Sequence, residues 1–563
     1  MRKLEKFDIQ SYILGELRDC LCKNLGNSIS GDDFEFIYPP DLKHGDISSN
    51  FALKKARILN SKPMELAEKL KTIIEKSSIR NYFKSIKSAH PGFLNFMYSD
   101  RVLAEAIEII ENTDTDYGKQ NVDDNRNVIF EFVSANPTGP LTIAHARQAA
   151  VGDSLCRLYK KIGCNVCAEY YLNDKGVQIR NLGKSVYARY LKICGVDIEF
   201  PEDGYKGDYI IEIAKKIYDE KGDLYAEKDQ EEAVNFFSER AYHLIFQDIK
   251  NDLNEFRVTF DSFFSERKLE DEGLIEKSIE ILRRKNLIYE KDGALWFKTT
   301  LFNDDKDRVL VKKDGTTTYL ASDIPYHWDK LKRGYNLLVN IVGPDHHGYI
   351  PRLKAAVSSF GEDHRGKLKV IIVQLATLYR NGIQIRMSTR AGEFITLREL
   401  LKEIGIDAGR YFFVSRKPSS LLDFDLDLAK KKTPENPVFY VQYVHARISS
   451  IFRKYSECFR NREITSLKDI NFMKLEDDDR ALVRILLRFP DIVKSAALSF
   501  EPQRLTIYLE SLAGMFHSYY NKNKIIDAND MLKMDLRLHI IKCIAIVVKN
   551  GLNILGVDAP QSM

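Results

Sequence analysis

The spacing of hydrophobic positions changes character along this chain, and the changes divide it. Residues 1–115 mix helical patterns such as PMELAEKLKTIIEKS with short strand-like runs, FEFIYP and GFLNFMYS, which predicts a small α+β unit. The stretch ENTDTDYGKQNVDDNRN (residues 111–127) is polar and without period, and reads as a linker. From Val128 the pattern runs strand (VIFEFVS), helix (IAHARQAAVGDSLCRLYKKIG), strand (CNVCAEYYL). That is one βαβ unit, whose parallel strands require a crossover and usually a sheet covered on both faces. Residues from about 175 to 300 are charged and mostly helical in period, and read as an insertion. Strand signals return at DRVLVKK, NLLVNIVG and LKVIIVQLA, so an interrupted doubly wound sheet is expected. After ENPVFYVQYVHARISSIFRKY almost everything has helical period, which predicts an all-helical carboxy-terminal domain.

Composition narrows the class. At 563 residues the chain exceeds one core, and about 150 residues per domain gives three or four domains. The amino terminus lacks the apolar stretch of a signal peptide, and no uninterrupted apolar run approaches the ~20 residues needed to span a bilayer. A cytoplasmic protein without membrane association is the expectation. Eight cysteines are too sparse for a disulfide framework. Cys164 and Cys167 have CxxC spacing, but a zinc site needs about four ligands and no second such pair exists. Buried strand thiols are the preferred reading, and no structural metal is expected. Residues 440–563 hold 18 Lys and Arg against 14 Asp and Glu, so the net +4 of the chain lies there, which is compatible with a nucleic-acid partner.

Candidate chemistry gathers at the expected strand ends. The first βα turn holds Asn136, Pro137, Gly139 and Pro140 before a helix start rich in small residues. Helix N-termini at such positions offer free N–H groups to phosphate, and His145 in the first turn can donate to a phosphate oxygen. The bland alternative is a tight loop with a capping histidine, since no glycine-rich phosphate fingerprint is present. Glu131 interrupts an otherwise buried strand, so it either faces solvent at an edge or meets a cation. Asp323 could cap a helix or join Glu131 in a pocket suited to a guanidinium. Asp345, His346 and His347 follow an apolar strand; a metallophosphoesterase would need further aspartates that are not found. Arg386 to Arg390 (RMSTR) is a basic pentapeptide before a helix. It reads as a surface turn or as a cationic clamp on a triphosphate.

Taken together, these segments resemble the arginyl-tRNA synthetases, a family of class I aminoacyl-tRNA synthetases. FEFVSANPTGPL, AEYYLNDKGVQI, TYLASDIPYHWDKLKRGY, VGPDHHGYIPRLKAA, RMSTRAGEFITLRELL and LDFDLDLAKKKTPENPVFYVQYVHARI follow the family's blocks in order. HGDISSNFALKKAR and NGLNILGVDAPQSM are similar to its two ends. The resemblance implies a multidomain α/β protein: an N-terminal α+β tRNA-binding module (1–115), a Rossmann-type doubly wound catalytic domain (116–435) and an all-helical anticodon-binding domain (436–563). It implies activation of L-arginine with ATP, carried with Mg2+, and transfer to tRNA(Arg), by a monomer that needs tRNA before it activates arginine. Carried over by motif, Glu131, Tyr319 and Asp323 hold the guanidinium, Ser134 and Asn136 the α-amino and carboxylate end, with His346 on the arginine side. Thr142, Ala144 and His145 stand at the HIGH motif, and Gly343, Asp345 and His347 line the adenosine side. Arg386, Met387, Ser388 and Arg390 belong to the KMSKS-type loop. Tyr519, Tyr520 and Met563 are the expected anticodon contacts, with ordinary core packing the alternative for the tyrosines. The chain departs from the motifs at Thr142 (for His), Ala144 (for Gly), Arg386 and Thr389 (each for Lys). A second reading is therefore a catalytically reduced relative that binds tRNA.

Overall fold

The computed structural model describes residues 8–25, 29–39, 42–122, 126–385, 395–460, 462–470 and 475–563; Arg386, Met387, Ser388, Thr389 and Arg390 lie outside them. The amino-terminal part is a four-stranded antiparallel sheet of β1 (Phe36–Ile37), β2 (Ile47–Ser49), β3 (Phe83–Ala89) and β4 (Phe93–Tyr98), ordered β1-β2-β4-β3. Along β4 half-buried and buried positions alternate strictly, as a sheet with one covered face requires. Helices Ile9–Leu25, Pro63–Glu75 and Asp100–Thr113 complete the unit. The polar stretch after it is less free than its composition predicts. Tyr117 is buried, stacks on Phe489 at 5.9 Å and donates its hydroxyl to the Leu486 carbonyl at 3.0 Å. One aromatic residue in a run of Asp and Asn ties this segment to the carboxy-terminal helices.

The central sheet contains β5 (Asn127–Glu131), β6 (Asn165–Leu172) and β7 (Ser262–Ser265); β8 (Ile288–Lys291), β9 (Ala294–Phe297) and β10 (Arg308–Val311) form a separate antiparallel sheet; β11 (Leu337–Val342) and β12 (Leu368–Ile372) rejoin the first. The parallel order is β12-β11-β5-β6-β7. Two expectations are corrected. DRVLVKK is a strand, but outside the parallel sheet, and the charged insertion supplies an edge strand of that sheet through SFFS. Four residues after a long helix carry too short a pattern to declare a strand, and β7 exists because β6 pairs with it. Elsewhere the insertion is helical over Val177–Ile193, Asp208–Lys221, Gln230–Glu255 and Leu274–Arg284, and it ends in the antiparallel strands β8 and β9. Cys164 is buried and Cys167 is a half-buried position of β6 in register with Ile129.

Beyond a small sheet of β13 (Ala376–Arg380), β14 (Ile383–Gln384) and β15 (Leu422–Asp425), the carboxy-terminal part consists of helices Pro437–Cys458, Asp477–Leu487, Phe489–Leu498, Gln503–Lys522 and Met531–Leu555. The second and third are broken apart at Arg488 because Pro490, in the first turn of the next helix, has no N–H to continue the ladder. Helix Met531–Leu555 is long and apolar enough by composition to cross a membrane, although charged residues interrupt it, so no uninterrupted apolar run is present there. Most of that stretch is buried, however, as in the core helix of a helical domain.

Candidate active site

The chain leaves β5 under strain. Val133 and Ser134 both adopt positive φ, 67° and 40°, a region that a β-branched residue avoids. The bend is fixed from outside. The Tyr171 N–H donates to Ser134 Oγ at 3.2 Å, the Tyr170 hydroxyl to the Ala135 carbonyl at 2.8 Å, and Asn136 Nδ2 to Gln178 Oε1 at 2.7 Å. The helix Ile143–Lys161 then starts at Thr142 and can lie flat on the sheet because residue 152 is glycine. A Cβ there would stand 2.4 Å from the Phe132 ring. Thr142 donates its N–H to His145 Nδ1 at 3.2 Å. Since Nδ1 accepts, the neutral ring carries its proton on Nε2. Enclosure lowers the His145 pKa to about 4, so the ring is neutral at pH 7. Ala144 and His145 thus occupy the first turn, where the helix's unpaired N–H groups favour an anion.

At the carboxyl ends of the neighbouring strands the register sets Glu131 beside Glu169 on β6 and Asn340 on β11. Glu131 does meet a cation. Lys330, fully buried on helix Tyr319–Lys332, places Nζ 2.6 Å from Glu131 Oε2 and 4.1 Å from the Tyr326 ring centroid. Glu169 accepts from Arg333 (2.6 and 3.0 Å), Tyr326 (2.9 Å) and Ser262 (3.0 Å); burial pushes its pKa up, but Arg333, the Lys330 charge and the Tyr326 hydroxyl together hold it low. Asp323, four residues after Tyr319 on the same helix, receives the Tyr349 hydroxyl as its one side-chain donor among the described residues. Burial, then the negative charges of Glu131 and Glu266, raise the Asp323 pKa to about 7 against the Tyr349 hydrogen bond. His327 behind it is neutral: burial, then Lys330, lowers its pKa to about 3, and Asn340 Nδ2 lies 3.0 Å from its Nε2. The result is an acidic recess in which, among the described residues, Glu131 is ion-paired with Lys330 while Asp323 has no ion-pair partner of its own. Its unmet demand is for a positively charged, multiply donating group, which a guanidinium is. Tyr319 stands at the rim, 72% exposed.

The adenosine-side candidates cluster where β11 ends. Gly343 begins the turn Pro344–Tyr349, with Asp345, His346 and His347 all exposed and His346 Nε2 3.5 Å from Asp345 Oδ2. Among the described residues no group of His, Cys, Asp and Glu is arranged to hold a metal ion. Thr142 forms an antiparallel bridge with Thr396, and the Leu397 N–H donates to the Leu141 carbonyl at 2.8 Å. The chain just after the basic pentapeptide is therefore fastened to the start of the His145 helix. Lys330, Tyr349 and Glu266 escaped sequence reading because a lysine in WDKLKRGY, or a glutamate in SFFSERK, looks like a solvated helix face.

In the helical domain the aromatic candidates separate. Tyr519 is 3% exposed, with its hydroxyl on Asp479 at 2.6 Å. Its reading as a base contact is corrected to core packing, because ring and hydroxyl are both in use. Tyr520 lines a groove of about 240 Å³ with Phe439, Tyr440, Tyr443, Arg447 and His517. The Arg447 guanidinium lies over the Tyr443 and Tyr520 rings at 4.7 and 4.6 Å. Met563 is half exposed beside Phe439 in an adjoining cavity with Lys431 and Lys432.

Comparison with known proteins decides what this arrangement belongs to. Residues 8–98 match the family described as arginyl tRNA synthetase N terminal domain, residues 107–417 the class I (R) tRNA synthetase catalytic domain, and residues 441–563 the DALR anticodon binding domain. The arginine–tRNA ligase of Geobacillus kaustophilus is 46% identical over 527 residues, 93% of each chain. The chain belongs to the arginyl-tRNA synthetase family. The arginine–tRNA ligase of a Geobacter species is 43% identical over 558 residues, 97% of this chain and 100% of that one. The arginyl-tRNA synthetase of Thermus thermophilus shares the fold, with a TM-score of 0.77 at 20% identity over 98% of this chain and 100% of that one. The Geobacillus and Geobacter relatives are both named as ligases, and neither supports the reading as a catalytically reduced arginyl-tRNA synthetase.

Proposed function

We propose that the chain activates L-arginine with ATP to arginyl-adenylate and transfers the arginyl group to the 3′-terminal adenosine of tRNA(Arg), releasing pyrophosphate and then AMP. The observation that carries this reading is the acidic recess of Glu131 and Asp323 set beside the amino terminus of the His145 helix. The guanidinium enters between the two carboxylates, with Tyr319 closing the rim. Ser134 accepts from a backbone N–H, so its own hydroxyl donates to the substrate carboxylate. The Asn136 amide donates to Gln178, which leaves its carbonyl oxygen for the α-ammonium. So held, the arginine carboxylate attacks the α-phosphorus in line; the new O–P bond forms as the bond to pyrophosphate breaks. His145 Nε2–H and the first-turn N–H groups, with the Thr142 hydroxyl, stabilise the charge gathering on phosphate oxygens. Gly343, Asp345 and His347 receive the adenosine, His346 faces arginine, and Arg386, Met387, Ser388 and Arg390 meet the leaving pyrophosphate. Mg2+ arrives with ATP. In the second step the 2′-hydroxyl of the terminal adenosine attacks the arginyl carbonyl and AMP leaves. The working form is a cytoplasmic monomer.

The direct experiment is arginine-dependent ATP–pyrophosphate exchange with and without cognate tRNA, in the wild type and in Thr142→His/Ala144→Gly. Exchange is expected from the wild type, and only with tRNA. Absence of exchange under both conditions, together with tight tRNA binding and recovery in the double variant, would establish the reduced relative instead. The groove around Tyr443 and Arg447 suits an unstacked anticodon base. Tyr443→Ala is expected to weaken tRNA binding about tenfold, the size of one lost base–aromatic stack, while arginine binding stays put. Filter binding at two salt concentrations checks it, and unchanged affinity removes the groove from the tRNA interface.

A further inference from the structure

The last helix ends inside the catalytic part of the molecule. An α-helix leaves its final carbonyls without intrahelical partners, and these carry partial negative charge. At the end of Met531–Leu555 the Gly556 and Val557 N–H groups cap Asn553 and Leu552, and three arginines from elsewhere add further donors. Arg157 donates to the Asn553 carbonyl at 3.1 Å, Arg410 to the Leu555 carbonyl at 2.7 Å, and Arg257 to the Gly556 carbonyl at 3.0 Å. Gly556 adopts φ 69°, and a Cβ there would lie 2.3 Å from the Arg410 guanidinium, so glycine alone lets the chain turn over that group. The tail is held further along. Arg257 and Gln442 both bind Asp407 and Asp558, and His445 Nδ1 lies 2.9 Å from the Pro560 carbonyl.

Arg410 is the pivot. It is fully buried, donates to the Phe256 carbonyl at 2.9 Å, and its remaining nitrogen binds the carboxylate of Asp153. Asp153 belongs to the helix whose first turn carries His145, and Arg157 of that helix binds the same carboxylate at 2.7 Å. A buried guanidinium holds its geometry only while all its acceptors stay in place. Displacing the Leu555 carbonyl therefore unseats Asp153.

We propose that Arg410 is a positioning residue for the activation reaction: it makes the placement of the His145 helix conditional on the seating of Leu555–Asp558 at the end of the helical domain. The proposal rests on the reading of His145 as an ATP-site residue for its catalytic consequence, but not for the mechanical one. It gives the anticodon-binding helices a physical route to the nucleotide site, through one side chain and two acceptors.

Three variants test it: Arg410→Lys, which keeps the charge and loses the fork; Asp153→Asn, which keeps the shape; and Arg257→Met, which loosens the tail from a half-buried position. Hydrogen–deuterium exchange of the intact protein is expected to show the first turns of Ile143–Lys161 opening about tenfold faster in all three, with Val177–Ile193 unchanged. In ATP–pyrophosphate exchange kcat is expected to fall about tenfold, the effect of a small misplacement of the reacting groups, with KM for arginine and the affinity for tRNA kept. Uniformly faster amide exchange would mean a merely structural role, and unchanged exchange at 143–153 would overturn the proposal. If the helix loosens as expected and the wild type lacks pyrophosphate exchange, the fault lies in the functional reading, not in the coupling.

Discussion

Asp323→Asn is expected to lower kcat/KM for arginine by about 10²–10³, mostly through KM, because it removes one charge from a buried ion pair worth about 3–5 kcal/mol to break. The pH dependence identifies the cause. Burial and the neighbouring carboxylates raise the Asp323 pKa to about 7, and a guanidinium binds only the ionised form. Above pH 7 the affinity is level. Below it, each binding event must expel a proton, so KM for arginine rises about tenfold per pH unit, and the asparagine variant loses that slope. The stability of the unliganded protein moves the other way. A carboxyl whose pKa is raised on folding contributes stability that is full below its ordinary pKa of 3.8 and is lost as pH rises through about 7. The unliganded Asp323→Asn protein should therefore melt above the wild type at pH 8, with the gap narrowing at pH 5. A threefold or smaller change in KM, with the acid slope intact, would take Asp323 out of the arginine site.

The second large effect is expected at His145. His145→Ala should reduce kcat for ATP–pyrophosphate exchange by about 10²–10³, the loss seen when one preorganised donor to a developing oxyanion is removed, with KM for arginine nearly unchanged. With its pKa near 4, the ring is neutral from pH 5 upward and contributes no inflection to kcat in that range. It acts as a fixed hydrogen-bond donor, not as a proton carrier. Steady-state exchange from pH 5.5 to 9 separates the two. An inflection that vanishes in the alanine variant would mean a titrating histidine and a different tautomer.

What could be read beforehand followed from strong, local patterns. The βαβ unit around Ala135–Asp153 and the long carboxy-terminal helices announce themselves by period, and Glu131 by being a carboxylate in an apolar strand. What stayed hidden depends on residues far apart in the chain. Lys330 reads as a solvated lysine until β11 and β5 bring it against Glu131. Arg410 looks like an ordinary basic residue in a helix until the end of the last helix arrives over it. Tyr519 and Tyr520 are adjacent and alike in sequence, yet one faces Asp479 in the core and the other the groove. Helical phase alone decided between them. The position of β7 could not be foreseen for the same reason: four residues acquire strand geometry only from a partner.

The order of strands in the central sheet also sets a timetable for its making. β5 lies in the middle, flanked by β6, which follows it closely, and by β11, which begins ~200 residues later, an interval that takes ~10–40 s to synthesise at ~5–20 residues per second. For that time a nascent chain carries β5 with one hydrogen-bonding edge open, beside apolar Val128, Ile129 and Phe130. Native pairing around Glu131 is impossible before Leu337 emerges, however fast the earlier helices form. Synthesis of this chain thus includes a vulnerable pause at its catalytic centre, in which holding the sheet edge shielded matters more than speed.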